Sequence, residues 1–243
     1  MVYPSTDRVV VIEARAGQMR TIAMISRKGG AGKTNLAVHL AACAEGRGIP
    51  TGVVDLDPQG TATKWGIRRS EAGTHAGAEV ISAQPASLPK LLETARRSGA
   101  QLMILDTAPH ADSMSVDAAR AASFILIPCR PAIADLEAIP ASADIARLAK
   151  RPFAVVLNAV GAQGSRENEA RQELQRLGLD LAPVALGHRV AYGDAMIPGE
   201  GVTEHRPGSQ SAAEIEALFD WIMLTLDGST TRPAELATSR GVA

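Results

Sequence analysis

Several ingredients of common protein classes are scarce here. The 243 residues include only two cysteines, Cys43 and Cys129, far apart in the chain. That is too few for a disulfide framework or a self-contained zinc site, and the simplest compartment is a reducing cytoplasm. No apolar run approaches the roughly 20 residues a membrane helix needs. An excess of one charge is missing too, since 25 Lys+Arg face 26 Asp+Glu for a formal net charge of -1. Without a global positive field, binding to nucleic acid or anionic lipid would have to come from a local patch. What the chain does have is apolar bulk, 46% of residues. A chain of this length and composition buries a core, excludes wholesale disorder and suits one compact domain.

The two ends stand apart from this body. Residues 1–20 carry Asp7, Arg8, Glu13 and Arg15 around a VVVIE run, the wrong order for a secretory signal. They are expected to be an extension, either an extra strand or a ragged segment, with Met19 as an alternative start. Residues 228–243 lose the hydrophobic period and are expected to be a fraying tail. They also lack the basic amphipathic pattern of a membrane-targeting helix.

Between the ends, short apolar runs alternate with helical patterns. Strands are expected at 21–26, 52–56, 79–83, 102–106, 124–128, 153–157 and 182–186, mostly continuous rather than alternating, as for strands covered on both faces. Helices are expected over 35–45, after a capping Ser87, over 133–149, 167–177 and 212–226. This order predicts an α/β fold, a doubly wound and mostly parallel sheet of about seven or eight strands within residues 21–227.

After the first strand comes SRKGGAGKTN, from Ser26 to Asn35, opening into a helix. Strand, glycine turn and helix N-terminus form a phosphate cradle. Gly29, Gly30 and Gly32 let the backbone approach an anion. Lys33 can reach the β and γ oxygens, and the Thr34 hydroxyl can ligate Mg²⁺. The common Walker A pattern places glycine where this chain has Arg27, and Lys28 adds a second lysine. Further on, LMILD ends in Asp106, a Walker B pattern whose acid should hold Mg²⁺ through water.

On the KGGAGKT string the sequence resembles the deviant Walker A ATPases, the group containing the ParA partition proteins, MinD and their relatives. The resemblance implies a P-loop NTPase that hydrolyses ATP, with Lys28 through Asn35, including Ala31, as the nucleotide-binding run. It implies that Lys28 reaches across a nucleotide-sandwich homodimer to the partner's ATP. VVDLDPQGTATKW closely matches the ParA switch I motif, which implies that Asp57 positions or activates the attacking water and that Asp55 supports the Mg²⁺ hydration shell. A strand-end residue capping a turn is the alternative reading of Asp55. DTAPH departs mildly from the family's DTPP, and His110 reads as a solvated residue rather than a proton carrier. Asn158, at the end of VVLNAV, stands where related ATPases place an adenine-facing asparagine. LGHRVAYGDAMIPGEGVTEH resembles the ParA C-terminal region, and FILIPCRPAIADLEAI the strand that precedes an interface helix. The likeness therefore spans about residues 20–226.

The first expectation is thus a small ParA-type partition or positioning ATPase, cytoplasmic and nucleoid-associated. ATP would drive dimerisation, the dimer would bind DNA nonspecifically, and a ParB-like or other adaptor would stimulate hydrolysis. With about 20 residues before the first strand, there is no room for an N-terminal helix-turn-helix. Candidate phosphate contacts are Arg68, Arg69, Arg147, Lys150, Arg151, Arg166, Arg171, Arg176 and Arg189. Alternatives are a MinD-like membrane ATPase, disfavoured by the tail, and a metabolic ATP-dependent ligase or iron-sulfur reductase on the same scaffold. The reductase would need paired cysteines, whereas Cys43 and Cys129 read as buried structural thiols.

Overall fold

A computed structural model describes residues 19–73, 77–109, 112–162 and 165–228. The first half runs β1 (Arg20–Met24), α1 (Lys33–Gly46), β2 (Thr51–Asp55), α2 (Thr61–Ala72), β3 (Glu79–Ser82), α3 (Leu88–Arg97) and β4 (Leu102–Asp106). It continues through α4 (Asp112–Ala121), β5 (Phe124–Cys129), α5 (Ile133–Leu136), α6 (Ile139–Leu148), β6 (Phe153–Leu157) and α7 (Ser165–Arg176). The described chain closes with α8 (Val190–Met196), α9 (Val202–His205) and α10 (Gln210–Leu226). The strands form one sheet in the order β3-β2-β4-β1-β5-β6, every pair parallel.

Each buried strand feeds two cores. Alternation sends Ile22, Met24, Ile104, Leu126 and Val156 to one face, against α1 and α10. Ala23, Ile25, Leu105, Ile127 and Val155 go to the other, against α3, α4, α6 and α7. This double burial is why the strands read as continuous apolar runs. Parallel pairing also gathers all carboxyl ends on one edge, with Met24 and Asp55 each in register with Asp106. Open α/β sheets bind ligands along that edge.

Among the described residues the sheet has six strands, not seven or eight. The segment expected as a strand at 182–186 runs beside β6 but pairs only through isolated bridges, Val155 with Leu181 and Val160 with Gly187. Pro183 lies between them and has no N–H to give a ladder. The helix expected over 133–149 is two pieces, because Pro140 lacks the amide that would bond Leu136. Ser87 makes no side-chain cap, and its hydroxyl instead donates to Gln84 O. Helix α10 matches its expected inward face, with Ile215, Leu218, Phe219 and Ile222 buried. Residues 1–18 of the expected extension and all of the tail but Gly228 lie outside the described residues.

Candidate functional site

The loop between β1 and α1 is built as an anion cradle. Gly30 and Gly32 hold φ of 73° and 100°, left-handed values that a side chain would strain. Gly32 is also the N-cap of α1, and a Cβ there would stand 2.1 Å from Asn158 Nδ2. Ser142 on α6 accepts the Arg27 amide at 3.1 Å, which ties the loop's entrance to a helix. Lys33 opens α1 and is buried, with Nζ donating to Ser26 O at 3.1 Å. Burial lowers its pKa, against opposing pulls from Asp106 and Asp57. Lys28 is half-buried, and its amide bonds the Ser26 hydroxyl. Asn35 turns its amide toward Met196 Sδ of α8 at 3.6 Å.

Asn158 braces the loop. Its Nδ2 donates to Ala31 O at 2.8 Å, while its Oδ1 accepts the Ala159 amide at 2.9 Å. Besides the adenine contact expected for it, Asn158 thus has a structural role in the loop. One N–H of its amide remains for a ligand.

The acids at the strand ends differ. Asp55 accepts from the Asp57 amide at 3.1 Å and from both the amide and hydroxyl of Thr63 at 2.8 Å. It fastens the loop to the start of α2. Asp57 is half-buried and caps its own turn, accepting the Gln59 amide at 2.9 Å. Asp106, fully buried, has no hydrogen-bond partner on either oxygen among the described residues. Burial pushes its pKa from 3.8 up to about 7, while the Thr34 hydroxyl and Lys33 pull the other way. Thr34 lies close enough to favour the charge without making a bond of good geometry. A buried carboxylate with free lone pairs beside a threonine hydroxyl fits a hard cation. The site therefore brings together Lys33, Thr34, Asp55, Asp57 and Asp106, while Asn158 touches the loop from the opposite side. His110 lies outside the described residues.

Most of the basic candidates are already engaged. Arg69 is buried against Glu204, and Arg189 is bound to Glu214. Arg147, Arg171 and Arg176 each pair with an acid on their own helix. Arg68 donates to Met196 O and Arg151 to Arg120 O, which leaves Lys150 and Arg166 as exposed candidates with no such tie among the described residues. The thiols of Cys43 and Cys129 are pushed up by burial to about 11 and about 12, so neither is a reactive ligand. Sequence reasoning gave no role to Ser142, Thr63 or Arg130, although Thr63 and Arg130 lie within the VVDLDPQGTATKW and FILIPCRPAIADLEAI stretches.

A parallel sheet with a phosphate loop after a central strand, and an unsatisfied acid at the end of the next, defines a P-loop nucleotide-binding protein. Residues 22–199 match the model of the CobQ/CobB/MinD/ParA nucleotide binding domain, and the chain belongs to that family. It is 32% identical over 212 residues to the maintenance of carboxysome distribution protein A of Gloeobacter kilaueensis, covering 86% of this chain and 94% of that one. It is 25% identical over 239 residues to the chromosome-partitioning ATPase Soj of Thermus thermophilus, covering 85% of this chain and 96% of that one. Its fold is that of the septum site-determining protein MinD from Pyrococcus horikoshii complexed with Mg-ADP, with a TM-score of 0.68 at 15% identity over 88% of this chain and all of that one.

Proposed function

We propose that the chain is a Mg²⁺-dependent ATPase that dimerises on ATP and positions a cargo. The observation that carries this reading is Asp106, a buried acid without a donor, one strand from a phosphate loop bearing both Lys28 and Lys33. The extended likeness to positioning and partitioning proteins supports the cargo.

In this reading Lys33 exchanges the Ser26 carbonyl for phosphate oxygens. Thr34 and Asp106 would hold Mg²⁺, which neutralises charge on the β and γ phosphates. Asp55 keeps the switch loop in register at the edge of that shell. Asp57 exchanges its turn bond for the attacking water and orients it in line. Little covalent chemistry is asked of the protein, because positioning and charge stabilisation lower the barrier. Lys28 reaches the nucleotide of a second copy, which makes ATP the condition for a dimer. The dimer binds duplex DNA nonspecifically through phosphate contacts, with Lys150 and Arg166 as the unpaired ones among the basic candidates, and a ParB-like or other adaptor triggers hydrolysis.

The test is the solution mass of Asp57→Ala with Mg-ATP, with and without random duplex DNA. A stable dimer that binds DNA is expected, and the same variant carrying Lys28→Ala should stay monomeric. A monomeric Asp57→Ala at saturating Mg-ATP would contradict the reading.

A further inference from the structure

The end of β5 carries a cation that the proposed function leaves without a task. Arg130 follows Cys129, and its guanidinium is gripped along one edge. Nε donates to Asp135 Oδ1 at 2.9 Å and Nη2 to Oδ2 at 3.3 Å. The Asp135 side chain is only 4% exposed, whereas that of Arg130 keeps 39%. Burying a carboxylate is costly, and such a pair is a poor source of stability. What a planar fork on a buried acid does well is fix a direction.

That direction is toward the phosphate loop. With Nε and Nη2 engaged, the remaining Nη1 sits 4.0 Å from where a Cβ on Gly30 would stand. Gly30 is exposed, at the turn that leads into α1. Asn158, at the end of the adjoining strand β6, touches the same stretch at Ala31. The loop thus has acids on its β4 and β2 side and an amide and a guanidinium on its β5 and β6 side. A cation held rigid beside backbone that curls around an anion suits phosphate.

We infer that Arg130 is a further nucleotide-contacting residue. Its Nη1 edge gives a charge-assisted hydrogen bond to a phosphate oxygen of the nucleotide seated on the Gly29–Lys33 loop, and Asp135 is the positioning residue that aims it. The inference rests on the nucleotide-binding reading above and adds a residue that the loop motif does not contain.

Isothermal titration of ADP and of a non-hydrolysable ATP analogue, each with Mg²⁺, tests it on the wild type, Arg130→Ala, Arg130→Lys and Asp135→Asn. Losing one charge-assisted bond should weaken both nucleotides by about tenfold or more in Arg130→Ala. Arg130→Lys should recover part of the loss, keeping the charge but not the fork. Asp135→Asn, which frees the guanidinium, should weaken binding by about threefold. The deficit of Arg130→Ala should shrink at high salt, as a purely structural defect would not. Thermal unfolding checks that each variant folds, and if Asp135→Asn does not, the two Arg130 variants decide the matter. Arg130→Ala binding both nucleotides within twofold of the wild type would overturn the inference alone. A wild type that bound neither nucleotide would overturn the nucleotide reading first and this inference with it.

Discussion

The ends of β2 and β4 carry two buried acids in direct register, Asp55 and Asp106, and their surroundings are opposite. Asp55 accepts three hydrogen bonds from the loop and helix that follow it, whereas Asp106 accepts none. A satisfied buried carboxylate stabilises the fold. An unsatisfied one is held against its own preference by the sheet around it, and a cation is what relieves it. Two aspartates that look alike in sequence thus stand in opposite surroundings, and the proposed function gives them different work, Asp55 in the switch loop and Asp106 at the metal.

Substituting each acid should separate these roles. The largest effect is expected from Asp106→Asn, which should weaken Mg²⁺-dependent nucleotide binding by about 100-fold while leaving the fold intact. Titration calorimetry with and without Mg²⁺ reads it. Asp55→Ala should do the reverse in kind. It leaves the amides of Asp57 and Thr63 without their acceptor and should cost about 2–4 kcal/mol, seen as a melting point lower by roughly 5–10 °C.

The pH dependence offers a second way to set buried groups against each other. Asp106 titrates at about 7 in the folded chain against 3.8 ordinarily, so the folded state holds the extra proton between those values. Its contribution is therefore lost as pH rises from about 4 to about 7. His39 has the opposite sign. Its Nδ1 accepts the Val202 amide at 3.0 Å, so Nε2 donates to Tyr192 O at 3.1 Å, and burial lowers its pKa to about 4. The unfolded chain takes up that proton first, so stability due to His39 is present above about pH 6.5 and lost as pH falls toward 4. His39→Gln should flatten acid unfolding between pH 6.5 and 4, and Asp106→Asn should flatten the decline between pH 4 and 7. Denaturant titrations across pH check both slopes. The smallest effect is expected on the far side of the loop, where Asn158→Ala should weaken ADP binding by about threefold through loss of the Ala31 brace.

The phosphate loop and Asp106 were legible because their signals are local. Glycine spacing fixes the turn, and four apolar residues ending in an acid place that acid at a sheet edge. The layered fold was legible for the same reason, since double burial writes continuous apolar runs. Asp55 was only half legible, because its partner Thr63 lies in α2, a helix with no periodic signal to announce it. The brace from Asn158 to Ala31 was not legible at all. It depends on the approach of β6 to a loop 127 positions earlier in the chain, a packing outcome that no window of sequence contains. The missing seventh strand and the broken helix at 133–149 each held a proline, Pro183 and Pro140, whose lost amides outweighed the surrounding apolar pattern.

Thermal unfolding of the wild type and Asp106→Asn at pH 8, each with and without Mg²⁺ and ADP, tests the metal assignment most directly. Without ligand the variant should melt higher by about 5 °C, since a neutral side chain no longer has to be buried as a charge. With ligand the wild type should rise and the variant should barely move. A variant that melted below the wild type without ligand, or gained as much from Mg-ADP, would show that Asp106 is an ordinary structural acid and not the seat of the metal.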